Sequence, residues 1–214
     1  TWATGSNILR KDEFIELTGT AGAENIDLSG FNLHPRGITV LAGEGDDVII
    51  GSPLADSLEG QGGNDNISGG DGDDFIDLGD GNDIGRGDGG ADLIFGGAGD
   101  DNINGGNQTD IIDAGLADTL DIVNGGGSSA DRLLVELSGN VTLNGKIIPR
   151  NGTGNILIQR VEKLEITGSD GDDRFDFSSY FGAVTLNAGA GDDTYIGTEP
   201  VSYTHLTLPT TGIV

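Results

Sequence analysis

The chain has no cysteine, only two histidines, five prolines and ten lysines and arginines in 214 residues. Without cysteine no disulfide and no thiolate metal site can form, and the redox compartment cannot be read from the chain. No apolar run approaches the roughly 20 residues that cross a bilayer as a helix, so no membrane span is expected. Ten basic residues stand against 36 aspartates and glutamates, a formal net charge of -26 that argues against nucleic acid as a partner. So acidic a chain repels itself when compact. It stays disordered, or something cationic neutralises it. A basic-then-apolar leader is also missing, and the first residue is Thr1 rather than Met. The expectation is a fragment of a longer protein whose export signal lies elsewhere.

Signatures of catalysis are missing too. There is no H-E-x-x-H, no G-x-S-x-G and no phosphate loop. Outside the last fourteen residues the only histidine is His34, which beside Pro35 reads as an exposed loop residue. Gly85-x-Gly87-x-x-Gly90 satisfies a dinucleotide fingerprint, but in a chain with 40 glycines and no strand–helix context the match carries no weight. Asp100-x-Asn102-x-Asn104-Gly105 copies half of an EF-hand loop, yet Ile111 stands where a bidentate Glu is needed. Lys146, Arg150, Arg160 and Lys163 are interleaved with Glu162 and Glu165 and read as a solvated face. No enzyme is expected from this chain by itself.

What is present is a period. Asp47, Asp56, Asp65, Asp74, Asp83, Asp92, Asp101 and Asp110 recur every nine residues. Two places after each stand Ile49, Leu58, Ile67, Ile76, Gly85, Ile94, Ile103 and Ile112, aliphatic in every case but Gly85. A glycine-rich stretch precedes each aspartate, clearest in Gly69-Gly70-Asp71-Gly72-Asp73-Asp74-Phe75-Ile76-Asp77 and Gly96-Gly97-Ala98-Gly99-Asp100-Asp101-Asn102-Ile103-Asn104. Both fit G-G-x-G-x-D-x-U-x with U apolar. Glycine at the first, second and fourth places permits positive φ and a sharp six-residue loop. The remaining three residues suffice for a short strand whose central apolar side chain points inward. Two nonapeptides then make one coil of 18 residues, and repeats n and n+2 stack on the same side. One side carries Asp47, Asp65, Asp83 and Asp101, the other Asp56, Asp74, Asp92 and Asp110.

These repeats resemble the repeats-in-toxin (RTX) family, the hemolysin-type calcium-binding repeats, continuously over residues 42–113 and in pieces elsewhere. The resemblance implies an all-β, right-handed parallel β-roll, a β-solenoid, with Ca²⁺ held between stacked loops by aspartate carboxylates and backbone carbonyls. The ligands it implies are Asp47, Asp65, Asp74, Asp83, Asp92, Asp101 and Asp110, with the loop glycines Gly43, Gly45, Gly63, Gly70, Gly72, Gly79, Gly81, Gly90, Gly97 and Gly99. Calcium seeks about 6 to 8 oxygens, which such loops can supply. Three gaps on each side allow at most six ions in the regular array, and Asp65/Asp83, Asp83/Asp101 and Asp74/Asp92 are the best of them. Ser52-Pro53-Leu54-Ala55-Asp56 has lost its inner glycines and Gln108 replaces the one before Asp110, so both loops are expected to be defective. Glu24, Asp173 and Asp193 are weaker candidates, and Gly85 leaves a hole in the interior.

A longer duplication brackets the array. Ile15-Glu16-Leu17-Thr18-Gly19 through Asp27-Leu28-Ser29 lines up with Leu164-Glu165-Ile166-Thr167-Gly168 through Asp176-Phe177-Ser178. The expected divisions are irregular rungs at 1–41, the regular roll at 42–131, wider rungs at 132–199, and a tail at 200–214. The tail has no acidic residue after Glu199, resembles translated sequencing adaptor, and is expected to stand apart from the fold.

The function expected is calcium binding with calcium-triggered folding, as a structural part of a larger secreted bacterial protein. The resemblance implies export by type I secretion machinery and an extracellular or cell-surface location. The alternatives are an appendage of a secreted protease, lipase or epimerase, or an adhesin stalk. An ice-binding face would need one file of matching Thr or Asn, and the third loop position reads Glu44, Pro53, Gly62, Asp71, Asp80, Gly89, Ala98 and Asn107. The chain says nothing of oligomeric state.

Overall fold

The computed structural model describes residues 15–31, 36–115, 120–127, 130–137, 140–142, 146–149, 154–180, 182–197, 201–205 and 211–213, and every regular element among them is a strand. His34 and Arg150 lie outside these residues. Strands follow from the local sequence. Most short runs centre one buried aliphatic residue between less buried neighbours, and through the regular array a turn-forming loop interrupts them before a helix could nucleate.

One sheet stacks ten strands in chain order: Glu16–Thr18, Thr39–Glu44, Ser57–Gly62, Phe75–Asp77, Leu93–Phe95, Ile111–Asp113, Arg132–Glu136, Lys163–Thr167, Ala183–Asn187 and Val201–His205. Facing it, a second sheet stacks Asn25–Asp27, Val48–Ile50, Asn66–Asp71, Ile84–Gly89, Asn102–Gly106, Leu120–Gly126 and Asn155–Gln159. Ile147–Pro149 lies antiparallel on its last strand and covers that edge. A third sheet, Asn140–Thr142, Arg174–Asp176, Thr194–Ile196 and Thr211–Ile213, takes over opposite the first. The chain is a parallel β-solenoid of about eight turns.

Through the regular part Thr39, Ser57, Phe75, Leu93 and Ile111 are successive partners, two nonapeptides apart. Beyond it the coils lengthen, Ile111 pairing with Arg132 and Arg132 with Lys163. The interior is made of two aliphatic files. Leu58, Ile76, Ile94, Ile112, Leu133 and Leu164 face Ile49, Ile67, Ile103 and Val123, all fully buried. Each contributes about 1.5–3 kcal/mol relative to exposure.

The second file contains Gly85, and its register does not shift: Ile67 pairs with Gly85 and Gly85 with Ile103. The hole expected there is filled from another position. A Cβ at Gly85 would lie 2.9 Å from Leu78 Cδ1, and Leu78 is itself fully buried. In the later rungs aromatic rings take over, Phe175 stacked on Phe177 and Phe177 tilted against Tyr195.

The bracketing duplication is repeated in the hydrogen bonds. Ser29 donates from its amide and hydroxyl to Asp27 Oδ1, and Ser178 does the same to Asp176 Oδ1. Two strands of the 200–214 segment continue the stack, Val201–His205 on Ala183–Asn187 and Thr211–Ile213 on Thr194–Ile196.

Candidate metal centre

The loops that precede the aspartates have one recurrent backbone shape. At the second and fourth positions φ is positive, and these positions are the candidate glycines: Gly43, Gly45, Gly63, Gly70, Gly72, Gly79, Gly81, Gly90, Gly97 and Gly99, with φ between 95 and 148°. Where another residue replaces one of the two glycines the shape persists, but the loop before Asp56, which has lost both, does not have it. Gln61, Asp88 and Gln108 adopt φ of 77, 67 and 70°. The loop before Asp110, expected to be defective because of Gln108, therefore keeps the geometry of its neighbours. A non-glycine residue in this region costs roughly 1–2 kcal/mol, so the surrounding stack imposes the conformation.

The first glycine of the motif has another reason to be glycine. Gly60, Gly69, Gly87, Gly96 and Gly105 are not in the left-handed region, contrary to the expectation from the motif. A Cβ there would collide with the carboxylate five residues on. At Gly60 it would lie 2.3 Å from Asp65 Oδ2 and 2.4 Å from the Leu78 carbonyl of the next coil. At Gly87 the corresponding distances are 2.1 Å to Asp92 Oδ2 and 2.2 Å to Gly105 O. The absent side chain makes room for a carboxylate oxygen and a carbonyl oxygen from successive coils.

The aspartates form two ladders along the stack. On one side the amides of Glu24, Asp47, Asp65, Asp83 and Asp101 donate to Oδ1 of Asp47, Asp65, Asp83, Asp101 and Asp121, at 2.6–3.0 Å. On the other the amides of Asp56, Asp74, Asp92 and Asp110 donate to Oδ1 of Asp74, Asp92, Asp110 and Asp131, at 2.8–3.0 Å. Each carboxylate is thus held by one oxygen. The other, Oδ2 of Asp47, Asp65, Asp74, Asp83, Asp92, Asp101 and Asp110, is buried without a hydrogen-bond donor among the described residues.

An unpartnered buried carboxylate oxygen is costly, and the ionisation equilibria reflect that. Burial pushes the Asp74 carboxyl up to about 8, Asp101 and Asp110 up to about 7, and Asp83 and Asp92 up to about 6. The ladder hydrogen bond opposes the rise and neighbouring acidic residues add to it. Asp47 and Asp65 are raised for the same reason.

Asp56 is different. Its Oδ2 accepts from the Ser52 amide at 2.6 Å, and its Oδ1 accepts from the Ser52 hydroxyl at 3.1 Å and the Ile38 amide at 2.6 Å. Asp173 is closed in the same way by Ser169, and Glu24 by Thr20. Asp193 instead lies behind positive-φ Gly189 and Gly191, and its Oδ1 accepts from the Asp173 amide.

Sequence spacing missed Asp121 and Asp131. They join the ladders as fully buried members although they follow Asp101 and Asp110 by more than one regular coil. A second, exposed ladder was missed as well. Asn64 and Asn82 donate to Oδ1 of Asp46 and Asn64 one coil back, and Asp100 donates to Asn82. The recurrent Asp or Asn just before the aspartate was the available signal.

The donor set suits a hard cation that accepts many oxygens. Among the described residues no group of three or more His, Cys, Asp and Glu gathers as a metal cluster. The carboxylate Oδ2 atoms lie beside backbone carbonyls of the next coil, as Asp65 Oδ2 and Leu78 O do at Gly60, so an ion here would complete its shell with carbonyls. That is calcium chemistry rather than zinc chemistry. Bound calcium would supply positive charge to the Oδ2 atoms of Asp47, Asp65, Asp74, Asp83, Asp92, Asp101 and Asp110. Comparison with known families points the same way. The model of the RTX calcium-binding nonapeptide repeat matches the chain in four copies, over residues 39–53, 50–84, 86–119 and 180–199. No curated protein matched the chain.

Proposed function

On the premise that the chain is a protein of RTX calcium-binding nonapeptide repeats, we propose that it is a calcium-triggered structural roll, part of a larger secreted bacterial protein. The observation that carries this reading is the file of buried Oδ2 atoms with no donor. Deprotonated and without cations, the file is an array of like charges in low dielectric, and a chain of net charge -26 has few cations of its own to answer it. The aspartates hold the ladder with Oδ1 and present Oδ2 to the ion, while the loop glycines keep side chains out of the space. Ion binding and folding are then one equilibrium.

Extracellular calcium modules bind with dissociation constants of roughly 10⁻⁴ to 10⁻³ M, which suits a chain that stays unfolded where calcium is scarce and folds after export. RTX repeats typically occur in secreted proteins, and export by type I secretion belongs to this proposal. The role is structural rather than catalytic.

Circular dichroism in chelator, in millimolar calcium and in millimolar magnesium tests the reading. The expected result is β-structure gained in calcium and much less in magnesium, which demands near-octahedral geometry and sheds water reluctantly. The same β spectrum in chelator as in calcium would overturn it.

A further inference from the structure

Among the described residues three loops close on their own carboxylate, and they share one construction. In Thr20–Glu24, Ser52–Asp56 and Ser169–Asp173 the residue four before the carboxylate is Ser or Thr. Its amide donates to the carboxylate at 2.9, 2.6 and 2.8 Å, and its hydroxyl donates to the same carboxylate at 2.5, 3.1 and 2.9 Å. The hydroxyl oxygen also accepts the amide two residues on, from Gly22, Leu54 and Gly171, at 3.3 Å each time. None of these loops has positive φ at its second or fourth position.

The loops before Asp47, Asp65, Asp74, Asp83, Asp92, Asp101, Asp110 and Asp193 have positive φ at both positions. No Ser or Thr stands four before any of these eight aspartates. The chain therefore contains two alternative loop states. In one, positive φ leaves the carboxylate to be answered by an ion. In the other, the amide and hydroxyl at the same position turn onto the carboxylate and answer it from within.

The closed loops are not scattered. Among the described residues Glu24, Asp56 and Asp173 each stand first in their ladder, and no loop carboxylate precedes them. We propose that the hydroxyl-closed loops are metal-free starting rungs, one for each of the two aspartate ladders and one for the Asp173–Asp193 pair, and that the residue four before the carboxylate decides whether a loop takes calcium. This rests on the calcium reading above and extends it to the ends of the array. Strands precede Asp56 and Asp173 in the stack, Thr39–Glu44 and Asn140–Thr142, but bring no described loop carboxylate that could share an ion with them. A loop that satisfies its own carboxylate needs no such partner and gives the ladder a first rung that is formed before any ion arrives.

Native mass spectrometry and calcium titration of the full chain test this. Asp56→Asn and Asp173→Asn retain an acceptor oxygen and should bind as many ions as the wild type, whereas Asp74→Asn should bind fewer. Ser52→Gly combined with Leu54→Gly restores both loop glycines and should add an ion that Asp56→Asn then removes. If Asp56→Asn or Asp173→Asn lost an ion from a wild type that binds calcium, the inference would fall alone. A wild-type chain that bound none would overturn the calcium reading and this inference together. If the asparagine variants failed to fold, the glycine double variant would decide, since an unchanged ion count in a folded protein contradicts the proposal.

Discussion

Asp83 stands in mid-ladder, and two substitutions separate its two tasks. Its Oδ1 accepts the Asp65 amide at 2.7 Å, and its Oδ2 is buried and without a donor. Asp83→Asn keeps an acceptor for the Asp65 amide and removes the charge. Asp83→Ala removes both and leaves that amide buried without a partner, a penalty of about 1–3 kcal/mol. The difference between the two variants in urea unfolding at saturating calcium should therefore be about 1–3 kcal/mol, roughly 5- to 150-fold in the folding constant. The calcium midpoint should rise in both, because each loses a carboxylate from the gaps toward Asp65 and Asp101. Ion counting by calorimetry should find fewer ions in both. Equal urea stability of the two variants would refute the ladder as a source of stability. A wild-type midpoint and ion count in Asp83→Asn would refute its role as a ligand.

The raised carboxyls make the ion-free roll favour acid. Their folded pKa values, about 6 to 8 for the five largest, lie above the ordinary 3.8, so folding without calcium takes up protons. That contribution is complete below the unfolded value and is lost as pH rises through about 6 to 8. Dichroism in calcium-free buffer should show more β-structure at about pH 5 than at about pH 8, and the calcium midpoint should rise as pH falls below about 7 because protons compete for the same oxygens. Leu78→Ala should cost 2–5 kcal/mol toward the upper end, since Gly85 has no side chain to collapse into the space, and Leu78→Ala with Gly85→Ala should recover part of that in thermal unfolding. Gly81→Ala should be severely destabilising because its Cβ would meet the Gly63 carbonyl at 1.6 Å, while Gly62→Ala, which meets only the end of the Glu44 side chain at 3.0 Å, should be tolerated.

The sequence by itself determined the architecture, because a solenoid repeats in space what the chain repeats in order. A nine-residue period with one apolar residue per repeat permits one coil size, and the partners Thr39, Ser57, Phe75, Leu93 and Ile111 follow from it. The two aspartate files and the glycines at the second and fourth loop positions were legible for the same reason. Tertiary structure decided what no period records, namely which buried oxygen already has a donor. Asp56 and Asp74 occupy the same place in the repeat, yet Ser52 closes one carboxylate and no described residue closes the Oδ2 of the other. Asp121 and Asp131 fall outside the period, and only strand pairing brings them into the ladders. The first glycine of the motif is required by an oxygen five residues away, and the space at Gly85 is filled by Leu78. In each case the deciding contact joins a loop to its own far end or to another strand or coil, where burial makes an unanswered charge or an empty volume costly and local propensity has no influence.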